Sequence, residues 1–248
     1  MPSGWGVFIS FEGPDGSGKS TQVRKLAEAL SRLGYDVATA SEPGGTAIGR
    51  RIREIILDTR SAGLHGVTEF LLFAADRAQD VHEVILPALR AGRVVLADRF
   101  VDSSLAYQAH GLGMDLDSVL SANRIATDGL RPDLTLLLDI DVAEGVARAK
   151  GRSHGDRIEE RMLEFHQRVR DAYHQMAAAE PDRFRVIDVT GKPAESVHEE
   201  VLAQVLDFLA ARGVERRRSG RVQEERKGGP ACHAHHGDPG AAGGHKEA

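Results

Sequence analysis

The chain has 248 residues, of which 41% are hydrophobic and 28% charged, a composition typical of a globular protein with a sizeable core. Residues 1–212 carry seven more acidic than basic side chains, which argues against broad nucleic-acid binding because such binding depends on neutralising phosphates. No apolar run approaches the roughly 18–20 residues of a membrane span and no signal peptide is recognisable, so we expect a cytoplasmic protein without a membrane partner.

The first predicted strand, Val7–Phe11, leads into a complete phosphate-binding loop and then into a helical pattern that begins at Thr21. Glycines let the backbone N–H groups of the loop turn inward around phosphate oxygens, and the helix N-terminus adds a field that favours anions. Lys19 would reach the β/γ end of a polyphosphate, and the Ser20 hydroxyl would ligate Mg²⁺. We therefore predict that a nucleoside triphosphate binds at Gly13, Pro14, Asp15, Gly16, Ser17, Gly18, Lys19, Ser20 and Thr21.

The second predicted strand, Val37–Ala40, runs into Glu42–Thr46 and then into a helical segment with three arginines, Arg50, Arg51 and Arg53. A Pro-Gly-Gly sequence by itself indicates only a turn. Arginines on a helix are solvated by default, and the residues leave open whether one of them points into a cleft.

Phe73 and Arg77 lie four positions apart on the next helical pattern and therefore share one face. A ring beside a guanidinium suits a nucleobase, although an aromatic residue on a helix more often belongs to the core. The third predicted strand, Val94–Ala97, is followed by Asp98, which would either hold Mg²⁺ opposite the phosphate loop or cap a helix. Arg99 comes next and is suited to bidentate phosphate contact or to a surface salt bridge.

The fourth predicted strand, Leu134–Leu138, precedes a segment with four cations around two glycines, at about residues 148–158. Such a segment is typical of a mobile lid whose cations would stabilise transition-state charge on closing, or of an exposed basic loop. The next predicted helical face consists of Ile158, Met162, Phe165, Val169, Ala172 and Tyr173. The fifth strand, Phe184–Ile187, precedes the last helical face, which consists of Val197, Val201, Val205, Phe208 and Leu209.

Five strands that alternate with helices predict an α/β fold with a parallel sheet covered on both faces. Ligands of such sheets bind at the carboxyl ends of the strands. From Gly213 onward the periodicity stops, and residues 213–248 are too polar and glycine-rich to bury much surface, so we expect a disordered tail. Its histidines lack partners at metal-ligand spacing, and the single cysteine, Cys232, cannot form an internal disulfide.

Taken together, these residues resemble the thymidylate kinases of bacteria over roughly residues 6–212. The resemblance rests on the order and spacing of several motifs, which are Glu12–Thr21, Glu42–Thr46, Phe73–Arg77, Asp98–Phe100 with Ser103–Gln108, Arg131–Leu134 and Asp156–Glu159. It implies a three-layer P-loop nucleoside monophosphate kinase fold with a five-stranded parallel sheet. It also implies transfer of the γ-phosphoryl group of ATP to dTMP with Mg²⁺, in dTTP biosynthesis, by a homodimer that pairs through long helices such as Thr68–Leu89.

The same resemblance implies roles for individual residues. Lys19, Asp98, Arg99 and Arg152 would be catalytic, and Ser20 and Asp98 would hold Mg²⁺. In one subgroup of the family an arginine follows the acidic loop residue, but Gly16 stands there in this chain, so the lid would have to supply that charge. The dTMP site would consist of Asp15, Glu42, Arg53, Phe73, Arg77, Arg99, Ser103, Ser104, Tyr107 and Gln108.

Within that site, Arg53 and Arg99 would hold the acceptor phosphate, Phe73 would stack on thymine and Arg77 would hydrogen-bond its edge. Tyr107 would crowd the 2′ position and so reject ribonucleotides. The domain organisation implied is a kinase domain over residues 1–212 followed by the tail.

Two other functions stay open at the level of sequence. One is a kinase for another nucleoside or nucleoside monophosphate on the same scaffold, because one methyl group is worth only about 1–3 kcal/mol of discrimination. The other is a nucleotide-dependent switch, although the Asn-Lys-x-Asp motif of many GTPases is absent from the chain.

Overall fold

A computed structural model describes residues 4–61, 63–151, 158, 161–214 and 216. Five strands form one parallel sheet in the order β2-β3-β1-β4-β5. Their bounds are β1 Val7–Glu12, β2 Val37–Ser41, β3 Val94–Asp98, β4 Leu134–Asp139 and β5 Phe184–Asp188. This confirms the predicted sheet. Each strand ends one residue later than predicted, at a polar side chain, because backbone pairing continues past the last apolar residue.

Nine α-helical segments lie in the described part of the chain, and two of them continue into π-helical turns. The bounds are α1 Lys19–Arg32, α2 Ala47–Leu57, α3 Gly66–Asp80, α4 Leu86–Arg90, α5 Val101–Ser104, α6 Leu116–Thr127, α7 Val142–Lys150, α8 Leu163–Ala179 and α9 Ala194–Ala211. Val81–Ile85 joins α3 to α4, and Leu105–Gly111 continues α5. The predicted long helix Thr68–Leu89 is therefore one helical run from Gly66 to Arg90 with a π-helical interruption.

Two predicted helix bounds are wrong. The first helix begins at Lys19 rather than at Thr21, because Gly18 takes a left-handed conformation (φ 93°) that ends the loop at that point. Ile158 and Met162 do not belong to α8, although they match its periodicity. Met162 is extended (φ −65°, ψ 153°) and 71% exposed, so helical backbone begins only at Leu163.

The three central strands, β1, β3 and β4, are buried on both faces, as predicted for a covered parallel sheet, whereas the edge strands β2 and β5 are partly exposed. Along β1, alternate side chains such as Ile9 and Phe11 pack on one face against α1 and α9. Phe8 packs on the other face against Val81–Ile85 and α4. Because helices cover both faces of the sheet, the polar side chains lie at the carboxyl ends of its strands.

Some predictions fall outside the described residues. These are the tail beyond residue 216 and the centre of the lid, including Arg152 and the motif residues Asp156 and Glu159. Of the predicted lid, residues 148–150 form the last turn of α7. No helix in the described ranges is long and apolar enough to cross a membrane.

Candidate active site

The loop between β1 and α1 has the backbone of a phosphate cradle. Gly13, Gly16 and Gly18 have φ values of 136°, 77° and 93°, which side chains with a Cβ rarely adopt. The Lys19 ammonium is buried beneath the loop, where it donates to the carbonyl oxygens of Gly13 (2.9 Å) and Pro14 (2.8 Å). Burial and the nearby Arg99 lower the pKa of Lys19 to about 8. The cation is thus held where the loop would surround an anion.

The phosphate loop also lies in backbone contact with α7. A Cβ atom on Gly16 would be 2.1 Å from the carbonyl oxygen of Gly145, and one on Gly145 would be 2.8 Å from the carbonyl oxygen of Asp15. Neither position has room for a larger residue, because the obstructing atoms are backbone. The helix that leads to the lid is therefore packed directly on the loop.

Two side chains donate hydrogen bonds to Asp15. Its Oδ1 accepts from the Arg99 guanidinium (2.5 Å) and its Oδ2 accepts from the Tyr107 hydroxyl (2.8 Å). The guanidinium also lies over the Tyr107 ring, 4.9 Å from its centroid. Although burial opposes it, the charges of Arg99 and Lys19 hold the pKa of Asp15 below its ordinary value. Asp15 is thus an acceptor-only carboxylate at neutral pH, and Arg99 and Tyr107 are fixed by it.

Arg99 stands in an unusual backbone conformation directly after β3. Its φ is 75°, a left-handed value that costs a non-glycine residue roughly 1–2 kcal/mol. The turn is held by β1, since the Arg99 N–H donates to the Phe11 carbonyl (3.0 Å) and the Phe100 N–H donates to the Glu12 carboxylate (2.7 Å). The strain at Arg99 is therefore offset by the end of the neighbouring strand.

Glu12 is fully buried and accepts two further hydrogen bonds. They come from the hydroxyls of Ser103 (2.6 Å) and Tyr173 (2.9 Å). Burial and the neighbouring Asp102 raise the pKa of Glu12 to about 7 in spite of these donors. Glu12 had no predicted role, although an acidic residue directly after the mainly apolar run Val7–Phe11 was a visible signal.

Asp15, Lys19 and Arg99 line a cavity of about 540 Å³. Its walls bring together residues from the phosphate loop, from the β2–α2 connection, from α2 and α3, and from the segment after β3. The predicted site residues among them are Asp15, Gly16, Gly18, Lys19, Ser20, Glu42, Arg53, Phe73, Asp98, Arg99, Tyr107 and Gln108. Arg50 also lines the cavity, whereas the sequence did not decide whether it points into a cleft or into solvent.

Three predicted dTMP-contacting residues, Arg77, Ser103 and Ser104, are not among the described wall residues of this cavity. Arg77 is only 1% exposed and donates to Glu42 (2.8 Å), to the Ser104 hydroxyl (2.8 Å), to Asn123 and to the Phe100 carbonyl (3.0 Å). The Ser103 hydroxyl binds Glu12, as above. These side chains support the wall from behind, and direct contact with a base stays a prediction.

A second buried acidic group lies under the β2–α2 connection. Asp76 accepts from the Gly44 N–H (3.1 Å), and a Cβ on Gly45 would be 2.8 Å from Asp80. Neither Asp80 oxygen has a hydrogen-bond partner of ordinary geometry among the described residues. Burial and the neighbouring Asp76 raise the pKa of Asp80 to about 7. Asp80 is therefore partly protonated at neutral pH.

The oxygen donors of Ser20 and Asp98 suit a magnesium ion that is also bound by a nucleotide, and they do not form a metal site made of protein ligands alone. Ser20 and Asp98 line the same cavity, and no cluster of three or more His, Cys, Asp or Glu in the described ranges has metal-ligand geometry. Mg²⁺ commonly takes one or two protein oxygens and fills its shell with phosphates and water. The residues present fit an ion that arrives with a nucleotide.

Comparisons with known proteins agree with this arrangement. The family model described as "Thymidylate kinase" matches residues 11–201. The chain is 50% identical over 207 residues to the thymidylate kinase of Halothermothrix orenii, covering 82% of this chain and 98% of that one. It is 50% identical over 209 residues to the thymidylate kinase of Pelotomaculum thermopropionicum, covering 83% and 95%. The crystal structure of thymidylate kinase from Ehrlichia chaffeensis is similar with a TM-score of 0.66 and 34% identity, covering 82% of this chain and 99% of that one.

Proposed function

The chain belongs to the thymidylate kinase family, and from this premise we propose that its cavity brings Mg²⁺-bound ATP and dTMP together. It is a nucleoside monophosphate kinase that transfers the γ-phosphoryl group of ATP to dTMP, which gives dTDP and ADP. One observation carries the site assignment: a single cavity has both the phosphate loop and the group Arg53, Phe73 and Arg99 in its walls.

ATP binds at the phosphate loop. The backbone amides of the loop cradle the β- and γ-phosphates, and Lys19 exchanges its present carbonyl partners for phosphate oxygens. Ser20 and Asp98 hold Mg²⁺, which neutralises phosphate charge when it is bound. Cations close to the transferring group favour the transition state more than the ground state because charge there is being redistributed.

The acceptor binds beside it. Arg53 and Arg99 contact the phosphate of dTMP, and the half-buried Phe73 ring stacks on thymine. The Tyr107 ring is fixed by its bonds to Asp15 and Arg99, so it forms a rigid wall that crowds a 2′-hydroxyl. This rigidity supports a role in rejecting ribonucleotides.

Catalysis rests on positioning and charge rather than on a strong base. A monophosphate is already ionised at neutral pH, so the main barrier is bringing two polyanions into line. Arg99 supplies one fixed cation, and Arg152 on the lid supplies the one that the loop lacks at Gly16. Asp98 positions the metal rather than removing a proton.

A panel of acceptors tests this assignment. We expect coupled ADP-release assays with ATP and Mg²⁺ to give much higher kcat/KM with dTMP than with dCMP, AMP or GMP, and no turnover without an acceptor. The same assay on Lys19→Ala controls for contaminating kinases. Preference for a purine monophosphate would overturn the assignment, and tight ATP binding without acceptor-dependent turnover would point to a switch.

The protein acts as a homodimer in this proposal. Six apolar side chains are exposed on α2, α3 and α6, and α3 packs against each of the other two helices. They are Ile48, Ile55, Val67, Leu71, Leu116 and Leu120. An apolar patch of this kind marks an association surface. A second copy fits because the stripe on α3 can pair with itself about a two-fold axis.

Light scattering during gel filtration tests the dimer. We expect wild type to elute with twice the chain mass of 26.8 kDa and Leu71→Glu to elute as a monomer. Ile125→Glu is the matched control, because Ile125 is 83% exposed but lies about 180° around α6 from Leu116. A monomeric wild type, or a dimeric Leu71→Glu, would refute this surface.

A cytoplasmic location remains the prediction made from the sequence.

A further inference from the structure

We propose that Glu12 is the positioning residue for Arg99, and that its buried carboxylate holds the turn after β3 in the conformation that presents the guanidinium to the acceptor phosphate. The inference rests on the proposed function, in which Arg99 binds that phosphate. Glu12 is not among the described residues that line the cavity, so it acts through Arg99 and not on the substrate.

The backbone of the turn gives the first argument. Arg99 occupies a left-handed conformation without being glycine, so something outside the residue must hold it there. Two successive amides of the turn donate to the end of β1. The Arg99 N–H donates to the Phe11 carbonyl, and the Phe100 N–H donates to Oε1 of Glu12 at 2.7 Å. The first acceptor is available in any sequence, whereas the second requires a carboxylate or amide at position 12.

The side chain of Arg99 gives the second argument. Its guanidinium donates to the Ser103 hydroxyl at 3.0 Å, and that hydroxyl donates onward to Oε2 of Glu12 at 2.6 Å. The two oxygens of one carboxylate therefore act on the backbone and on the side chain of the same arginine. Tyr173 donates to Oε2 from α8, at 2.9 Å, and contacts neither the turn amides nor Arg99 by hydrogen bond.

The chemistry of the group gives the third argument. A fully buried carboxyl is costly to ionise, and Glu12 is fully buried at the end of β1, on the same face of the strand as Phe8 and Ser10. The cost is offset by three donors, which is the arrangement expected of a carboxylate kept for its acceptor geometry. All its partners except Tyr173 belong to the segment that carries Arg99.

A double-mutant cycle separates this role from a merely structural one. Kinetic constants for dTMP and for ATP are measured on wild type, Glu12→Gln, Arg99→Ala and the double variant, with urea unfolding on each. Glutamine keeps the size but has one acceptor oxygen, so it can accept from the Phe100 N–H or from the Ser103 hydroxyl but not from both. We expect Glu12→Gln to lower kcat/KM for dTMP by roughly 30-fold, with the KM for ATP changed by less than about 3-fold. We expect the double variant to be no worse than Arg99→Ala.

Tyr173→Phe is the matched control. It removes one donor to the same carboxylate and the 3.0 Å contact of the Tyr173 hydroxyl with Ser103, but it keeps the hydrogen bonds of Glu12 to Phe100 and Ser103. We expect its kcat/KM to stay within about 3-fold of wild type. Should Glu12→Gln not fold, Ser103→Ala cuts the link to the guanidinium alone and takes its place in the cycle. Losses that multiply in the double variant would overturn the proposal, and so would wild-type kinetics in Glu12→Gln. If the wild type uses another monophosphate, the proposed function fails, and the same cycle is then run with that acceptor.

Discussion

Asp80 is a carboxyl group buried beneath the β2–α2 connection, and replacing it with asparagine should make the protein more stable above neutral pH. Asparagine has nearly the same shape and carries no charge. Neither oxygen of Asp80 has a hydrogen-bond partner of ordinary geometry in the described part of the chain, so the carboxylate gains little there in return for losing water. The native state therefore prefers the protonated form.

The magnitude follows from proton linkage. Burial, with the nearby Asp76 adding to it, raises the pKa of Asp80 from 3.8 to about 7. Between these values the native state binds one more proton than the unfolded chain, so the free energy of unfolding falls by about 1.4 kcal/mol for each pH unit. From pH 5 to pH 8 this amounts to about 3 kcal/mol, nearly all of it lost below pH 7 to 7.5.

Urea denaturation followed by circular dichroism at pH 5, 6, 7 and 8 measures this directly. We expect the stability of Asp80→Asn relative to wild type to rise across pH 5–7 and then to level off. Asp117→Asn, which replaces an exposed carboxylate on α6, should run parallel to wild type throughout. Parallel curves for Asp80→Asn and wild type would refute the reasoning, because they would mean that Asp80 titrates alike in both states.

Three other substitutions test separate parts of the molecule. Lys19→Ala should lower kcat by a factor on the order of 10² or more while its circular dichroism spectrum stays that of the folded protein, and an unchanged kcat would contradict the phosphate-loop assignment. Phe73→Ala should raise the KM for dTMP by roughly 10-fold or more with little effect on the KM for ATP, as expected for a lost base-stacking contact. Arg183→Ala leaves the buried Asp102 without its partner at 2.6 Å and should lower the free energy of unfolding by about 3–5 kcal/mol, with a loss under 1 kcal/mol counting against a buried ion pair.

The sheet could be predicted closely because its strands are continuous apolar runs between helical patterns. The pattern ends at the last apolar residue, whereas pairing runs one residue further, to Glu12, Asp98 and their equivalents. Those added residues are polar and lie at the ligand edge. At β2 and β3 the added residues, Ser41 and Asp98, line the cavity, so hydrophobicity alone misses part of the site.

How deeply a side chain is buried was harder to predict than which face of its helix it occupies. Phe73 and Arg77 share a face of α3, as their spacing indicates, but only Phe73 reaches the cavity wall. Arg77 lies one turn further on, where Asn123 of α6 and Phe100 close over it. Spacing fixes which face a residue occupies, and contact between elements far apart in sequence fixes how deeply it is buried.

The buried acids Asp76 and Asp80 were also missed, since they meet the β2–α2 connection only when that connection folds onto α3. Glu12 is a different case. Its position at the end of an apolar strand was visible in the sequence, but its partners come from residues 100, 103 and 173. Periodicity carries no information about such distant contacts.

The close approach of Gly16 to Gly145 limits how this enzyme could evolve. An arginine at position 16 would drive its Cβ into the backbone of α7, so the loop and that helix would have to separate before the new cation gained anything. Grafting the arginine-bearing loop of other family members onto this scaffold would therefore cost activity unless their counterpart of α7 came with it. Under the proposed function, in which the lid supplies this charge, a lineage would move between the two sources of the charge only by changing the loop and α7 together.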